Sequence, residues 1–389
     1  MRSLLAGSVL LISVALADPP KLPGVGAALQ RQVDQNQIAG AVTLVVAPEK
    51  VLHLEATGWA NRESQKPMAA DSVFWIASMS KPITAVAVLM LQDEGKLNVN
   101  DPVSKYLPEF AGLRTPAGQP ATMTISQLLT HTSGLGEAGP KDAEAWTLTD
   151  LVPLWVSAPM KYEPGARWQY TQSGINAAGR IVEVVSGQSF DQFLQDRLFT
   201  PLGMKDTTFY PGPEQWARWA QAYVRNAQTG QLEAVPPRPE FGPRHRPPQG
   251  NGGLYSTAAD YGRFCQMLLQ GGQFVGKRYL SPKAMTYLTQ SQTGELPTGF
   301  FQNETFGNRG LNYGWALGTC VLKTPHDGVA AKLSAGTYGH GGAWGTQAWI
   351  DPVRGVAYIL MVQRANFPNS DASDVRREFQ QAAAEALGW

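Results

Sequence analysis

The spacing of apolar positions changes along the chain. Residues 25–37 repeat apolar side chains at helical spacing and predict an N-terminal helix. Residues 41–47 and 51–57 are β-rich runs separated by Pro48-Glu49-Lys50, which predicts a hairpin. Polar residues fill 61–71, and 72–77 form a third extended run that ends at Ser78. Beyond it, Ile83, Val86, Ala87, Met90 and Leu91 fall on one face of a long helix that stops at Gly95.

From about 105 to 290 alternation is weak. Helical patches at 125–130, 148–156, 174–186, 190–198 and 258–269 are separated by Pro- and Gly-rich loops. Segment 236–253 holds too many prolines for either regular element and reads as a surface excursion over a cleft or a long loop. β patterns return at 313–322, 334–338, 345–351 and 355–363, followed by a closing helix at 374–387. Strands at both ends with helices between them predict an α+β fold. One antiparallel sheet would be built from the two termini (18–105 and 290–389) and flanked by helices, with a mainly helical region inserted at 106–289.

Composition adds limits. The chain has 389 residues, 43% hydrophobic and 16% charged, with a formal net charge of +1. There is no basic block of the kind that binds nucleic acid, so that partner class is disfavoured. Met1-Arg2-Ser3, an apolar run at 4–16 and Ala15-Leu16-Ala17 have the pattern of a secretory leader cleaved after Ala17, leaving 18–389 as an exported, periplasmic or extracellular chain. No later segment is long and apolar enough to span a membrane. Of the two cysteines, Cys265 lies in an apolar helical pattern that favours a buried inert thiol, and spacing alone does not establish a pair with Cys320.

The five histidines (His53, His131, His245, His326, His340) form no metal-ligand spacing, and there is no dinucleotide or P-loop fingerprint; no metal or cofactor is predicted. G-x-S-x-G is also missing. What remains is Ser78-Met79-Ser80-Lys81. On a helix, residues three apart share a face, so the Lys81 amine can reach the Ser78 hydroxyl, and the helix start adds positive potential for an oxyanion. The competing reading is a helix cap followed by a solvated lysine. Serine needs a base to become nucleophilic. A lysine can serve once burial or a neighbouring cation lowers its pKa by ~3 units, and a tyrosine beside it could act as phenolate or proton shuttle.

These segments resemble the serine β-lactamase and penicillin-binding-protein superfamily, especially its class C β-lactamase-like branch with esterase and D-amino-acid peptidase members. Residues 74–84 (FWIASMSKPIT) look like its nucleophile segment and 97–107 like the stretch after it. Residues 128–135 (LLTHTSGL), 164–172 (PGARWQYTQ), 252–257 (GGLYST) and His340-Gly341-Gly342 follow in the family's order. The resemblance implies Ser78 as nucleophile, Lys81 as proton acceptor, Tyr170 as proton shuttle to the leaving group and His340 at the third motif. It also implies an oxyanion hole from the backbone N–H groups of Ser78 and Ala343, with Gln172, Gly341 and Gly342 contacting substrate. His131 belongs to a hallmark motif but is read as structural.

Two positions depart from the pattern. Gln172 stands where Asn is usual, and His340 stands where many β-lactamases have Lys. Both weaken the case for an acylamino or carboxylate-bearing substrate. The favoured activity is ester hydrolysis through a Ser-Lys-Tyr centre. A D-amino-acid peptidase or DD-carboxypeptidase acting on cell-wall-like peptide comes second and a β-lactamase third. A non-catalytic binding protein that kept the fold is the alternative of another class.

Overall fold

The computed structural model describes residues 19–139, 144–235, 246–298 and 312–389. The expected leader, and residues 236–245 of the Pro-rich segment, lie outside the described residues.

Eight strands make one sheet: β1 (Gly40–Ala47), β2 (Lys50–Asn61), β3 (Lys66–Pro67), β4 (Tyr313–Trp315), β5 (Cys320–Leu322), β6 (Tyr338–Gly341), β7 (Gln347–Asp351) and β8 (Val356–Met361). Their order is β4-β5-β6-β7-β8-β1-β2-β3, and every pairing is antiparallel. The termini meet where β1 pairs with β8, with Val42 opposite Met361 and Val46 opposite Ala357. This is the α+β architecture expected from strands at both ends of the chain.

The principal helices are α1 (Val25–Asp34), α2 (Ser80–Asp93), α3 (Ile125–Leu129), α4 (Leu148–Ser157), α5 (Ser173–Ser186), α6 (Ala258–Leu269) and α7 (Asp374–Ala386). Alternation along β1 sorts them onto two faces. Val42, Leu44 and Val46 join one core with Ile359, Met361 and the α6 residues Phe264 and Met267. Ala41 and Val45 join a second core with Leu29 of α1 and Phe379 of α7. Helix α6 lies within the stretch read from sequence as the helical insertion, yet it packs on the sheet. Gly262 permits this, since a Cβ there would lie 2.6 Å from Leu44 Cδ2.

Four sequence expectations change, the first being the strand read at 334–338, which lies instead at Tyr338–Gly341. Of the extended run at 72–77, only Phe74–Trp75 is a strand; it pairs with Tyr255–Ser256 outside the main sheet. The run at 313–322 breaks at Gly318, whose φ of 71° turns it into the β4–β5 hairpin. Helix α2 is apolar on more than one face: Ser80 through Leu91 are all buried, because α5, the helix Pro282–Thr289 and the β4–β5 turn enclose it. Cys265 in α6 and Cys320 in β5 are both free thiols. Among the described residues no helix is long and apolar enough to cross a membrane.

Candidate active site

Ser78 occupies a 3-10 turn, Ala77–Met79, that leads directly into α2. It does not cap the helix with its side chain. The turn is set by its neighbours. Ile76 N–H donates to Leu254 O at 3.0 Å, Ser80 Oγ donates to Ala77 O at 2.7 Å, and the Tyr261 hydroxyl donates to Met79 O at 3.0 Å. Ala77 has a φ of 46°, a left-handed conformation unusual for alanine. The chain therefore turns sharply just before Ser78, leaving that residue partly exposed while its neighbours are buried.

One turn later Lys81 is completely buried. Its Nζ donates to Ser78 Oγ at 2.9 Å, Gln172 Oε1 at 3.0 Å and Asn251 O at 2.7 Å. All three ammonium protons thus have acceptors. Desolvation nevertheless holds its pKa well below the usual lysine range, opposed by the charge of Glu137. Lys81 Nζ also sits 4.5 Å from the centroid of the Tyr170 ring.

Tyr170 comes from the loop before α5, and its hydroxyl lies 3.5 Å from His340 Nε2 on β6. His340 Nδ1 is 2.6 Å from Gly341 O. A carbonyl only accepts, so Nδ1 carries the proton and Nε2 faces Tyr170 as an acceptor. Burial, with the nearby Lys81 charge, lowers the His340 pKa to about 3, so the ring is neutral at physiological pH. Burial raises the Tyr170 phenol well above its usual range. Of the two roles open to this tyrosine, proton shuttle rather than resident phenolate suits a hydroxyl held protonated.

His131 follows α3 with a φ of 61° and is fully buried. Its carbonyl accepts from Gln169 N–H at 2.9 Å, and its ring Nδ1 accepts from Thr171 N–H at 3.2 Å. It lies against the Tyr170 ring, with centroids 4.5 Å apart. Burial and the Lys81 charge keep its pKa well below the ordinary value.

The β6–β7 turn brings Ala343 to this region. Gly342 N–H donates to Thr346 O at 2.7 Å, and Thr346 Oγ donates to Ile76 O at 3.2 Å, which ties the turn to the backbone just before Ser78. A Cβ on Gly342 would lie 2.6 Å from Ile76 O, and one on Gly341 would strike Asp371 and come 2.5 Å from Gln347 Nε2. The space these glycines leave is occupied by the protein's own atoms. Gly342 lets the turn pack on the backbone at Ile76, and Gly341 makes room for Asp371 and Gln347. Gln172 likewise has its oxygen committed, to Lys81 and to Asn251 Nδ2 at 2.9 Å.

Sequence reasoning missed three contributors. Glu137 accepts from Gln172 N–H at 2.5 Å, Ser173 N–H at 3.0 Å and Ser173 Oγ at 2.7 Å. Asn251 supplies a carbonyl to Lys81 from the Pro-rich segment read as a surface excursion over a cleft or a long loop. Trp315 on β4 packs against His131, Tyr170 and His340, with centroids 5.0, 6.0 and 5.6 Å away. The only local signal was that Glu137 follows the 128–135 motif and Asn251 precedes Gly252-Gly253. Among the described residues no group of three or more His, Cys, Asp or Glu side chains is arranged to hold a metal ion.

The order of these parts can be compared with known proteins. The Beta-lactamase family model matches residues 25–383. Esterase EstB of Burkholderia gladioli is 30% identical over 373 residues, covering 87% of this chain and 89% of its own. Penicillin-binding protein 4 of Amycolatopsis lactamdurans is 33% identical over 318 residues, covering 80% and 77%. Among solved structures, EstCE1, described as a hydrolase with promiscuous acyltransferase activity, shares the fold at a TM-score of 0.77 and 24% identity, over 92% of this chain and 97% of that one. A match running through nearly the whole chain, on a fold that brings the ordered motifs together, has one reading: this chain belongs to the beta-lactamase family, within the serine β-lactamase and penicillin-binding-protein superfamily of hydrolases.

Proposed function

We propose that the chain hydrolyses carboxylic esters through an acyl-enzyme on Ser78. The observation that carries this is the 2.9 Å contact between Ser78 Oγ and a fully buried Lys81 Nζ. A lysine whose proton affinity burial has weakened can take the serine proton as Oγ attacks the substrate carbonyl carbon. The backbone N–H groups of Ser78 and Ala343 hold the resulting oxyanion, an interaction worth about 3 kcal/mol per donor in acyl transfer. The Tyr170 hydroxyl gives its proton to the departing alkoxide and recovers one from Lys81, with His340 Nε2 orienting the phenol. Water then attacks the acyl carbon as its proton passes to Lys81; the C–O bond to Ser78 breaks, Lys81 returns that proton to Ser78 Oγ, and the carboxylic acid leaves.

Two features support an ester over a peptide or β-lactam. His340 is neutral, so it offers no fixed charge to a substrate carboxylate. Gln172 Oε1 is held by Lys81 and Asn251, which constrains its use in acylamino recognition. The relative named as a penicillin-binding protein supports peptide or β-lactam turnover as the second reading. Export is part of the proposal and is supported by the leader pattern at 1–17.

A short-chain nitrophenyl ester, a D-Ala-D-Ala peptide and a cephalosporin compared in parallel test the preference. The ester is expected to give the highest kcat/KM, and turnover of the peptide alone would overturn it. A fluorophosphonate probe tests the nucleophile. A mass increase at Ser78, lost in Ser78→Ala, is expected; with no adduct on the native protein, a binding role replaces the enzymatic one.

A further inference from the structure

Lys81 is surrounded at contact distance by uncharged acceptors: Ser78 Oγ from the 3-10 turn, Gln172 Oε1 from the start of α5 and Asn251 O from the loop at 246–254. The Tyr170 ring lies over it, and His131 and His340 approach it from the end of α3 and from β6 with their pKa values lowered. Glu137 is the group whose negative charge favours protonated Lys81.

Glu137 acts from behind Gln172. The N-cap of α5 is Gln172, which has no side-chain capping bond of its own. Its place is taken by a carboxylate 35 residues earlier in the chain, which collects Gln172 N–H, Ser173 N–H and the Ser173 hydroxyl. The negative charge at a helix N-terminus is favourable in itself. Here it also fixes the backbone of the residue whose side-chain oxygen receives Lys81 Nζ. Tyr170 is two residues upstream, so the same carboxylate anchors the segment that carries it.

We propose that Glu137 is a positioning residue for the Ser78–Lys81 pair: its carboxylate pins the turn at Gln172 against Lys81, and its charge tunes the proton exchange between the two. This rests on the reading of Ser78 as nucleophile. Geometry and charge are partly separable, because Glu137→Gln removes the charge but keeps one acceptor oxygen, enough for either the Gln172 N–H or the Ser173 pair, whereas Glu137→Ala removes both oxygens.

The test is the rate of Ser78 labelling by a fluorophosphonate, which is independent of the natural substrate, measured from about pH 5 to 10 on the full chain. The native rate is expected to rise with pH as Lys81 loses its proton. In Glu137→Gln the missing negative charge makes Lys81 easier to deprotonate, so the rising limb moves to lower pH by roughly 0.5–1 unit. In Glu137→Ala the plateau rate falls about tenfold or more as Gln172 loses its anchor. A Glu137→Gln profile superimposable on the native one overturns the proposal while leaving Ser78 as nucleophile. A native protein that does not label at all overturns the nucleophile reading and this inference with it. If the alanine variant does not fold, the pH shift of the glutamine variant still decides.

Discussion

His131 grips the chain on both sides of Tyr170: its carbonyl takes the Gln169 N–H and its ring takes the Thr171 N–H. The ring also stacks at 4.5 Å on the tyrosine it brackets. This explains why a buried histidine can belong to a site without doing proton chemistry there. Removing the ring leaves the Thr171 N–H without its acceptor, which costs about 1–3 kcal/mol. His131→Ala is expected to lower kcat about 10- to 100-fold by loosening Tyr170. Ser78 should still label with fluorophosphonate, and the pH profile should keep its shape. Complete loss of labelling with a normal Tm would instead make His131 the base.

His340 carries a second prediction. Burial and Lys81 lower its pKa to about 3, so it stays neutral from pH 5 upward. The pH–rate profile should therefore lack an acid limb near the ordinary histidine value of ~6.5 that disappears on mutation. His340→Ala should lower kcat about tenfold at every pH by removing the acceptor that orients the Tyr170 hydroxyl. A limb at ~6.5 in the native enzyme that is lost in His340→Ala would contradict the neutral assignment.

Ala77 stores strain next to the nucleophile. At φ 46° its Cβ crowds the backbone, a conformation that glycine adopts freely. Ala77→Gly should stabilise the fold by about 1 kcal/mol, read as a higher denaturant midpoint with an unchanged m-value. Ala77→Val should lower it, because a β-branched side chain tolerates positive φ less well. A destabilised glycine variant would show that the turn is not strained.

His53 links acidity to stability at the far side of the sheet. It is fully buried on β2, where Nδ1 accepts from Leu22 N–H at 3.0 Å and Nε2 pairs with Thr43 Oγ at 2.8 Å. Burial and the Lys21 charge lower its pKa to about 4. The unfolded chain, with an ordinary histidine, then binds more protons than the native state between about pH 4 and 6.5. The His53 contribution is complete above that window and falls as pH drops through it. Denaturation curves at pH 7 and pH 5 should show this loss, and His53→Gln should flatten the slope. An equal pH dependence in both proteins would assign the acid sensitivity elsewhere.

The catalytic candidates and the segments that carry them were legible in sequence because each rests on short-range order. Ser78 and Lys81 are one helical turn apart, and the near-continuous apolar runs at 41–47 and 355–363 match strands buried on both faces. The α+β class followed from where strand and helix patterns lie along the chain. Strand limits were less legible where the chain turns within an apolar run, as at Gly318 and between Trp75 and Ser78. There, backbone dihedrals decide the path, and hydrophobicity does not encode them.

Tertiary structure alone decided the electrostatics. From local sequence Lys81 could be either a base or a solvated lysine, and it is buried because α5, the loop at 246–254 and the β4–β5 turn close over it. His340 is neutral for the same reason, since desolvation depends on every neighbour and not on local spacing. Glu137 and Asn251 escaped notice because they bond partners 35 and 170 positions away, and Trp315 because it packs on rings from three other segments; such contacts leave no periodic trace. The chain's pattern thus determined which residues could react. Only the folded arrangement determined how protons are held between them, because desolvation and hydrogen bonding depend on three-dimensional contacts.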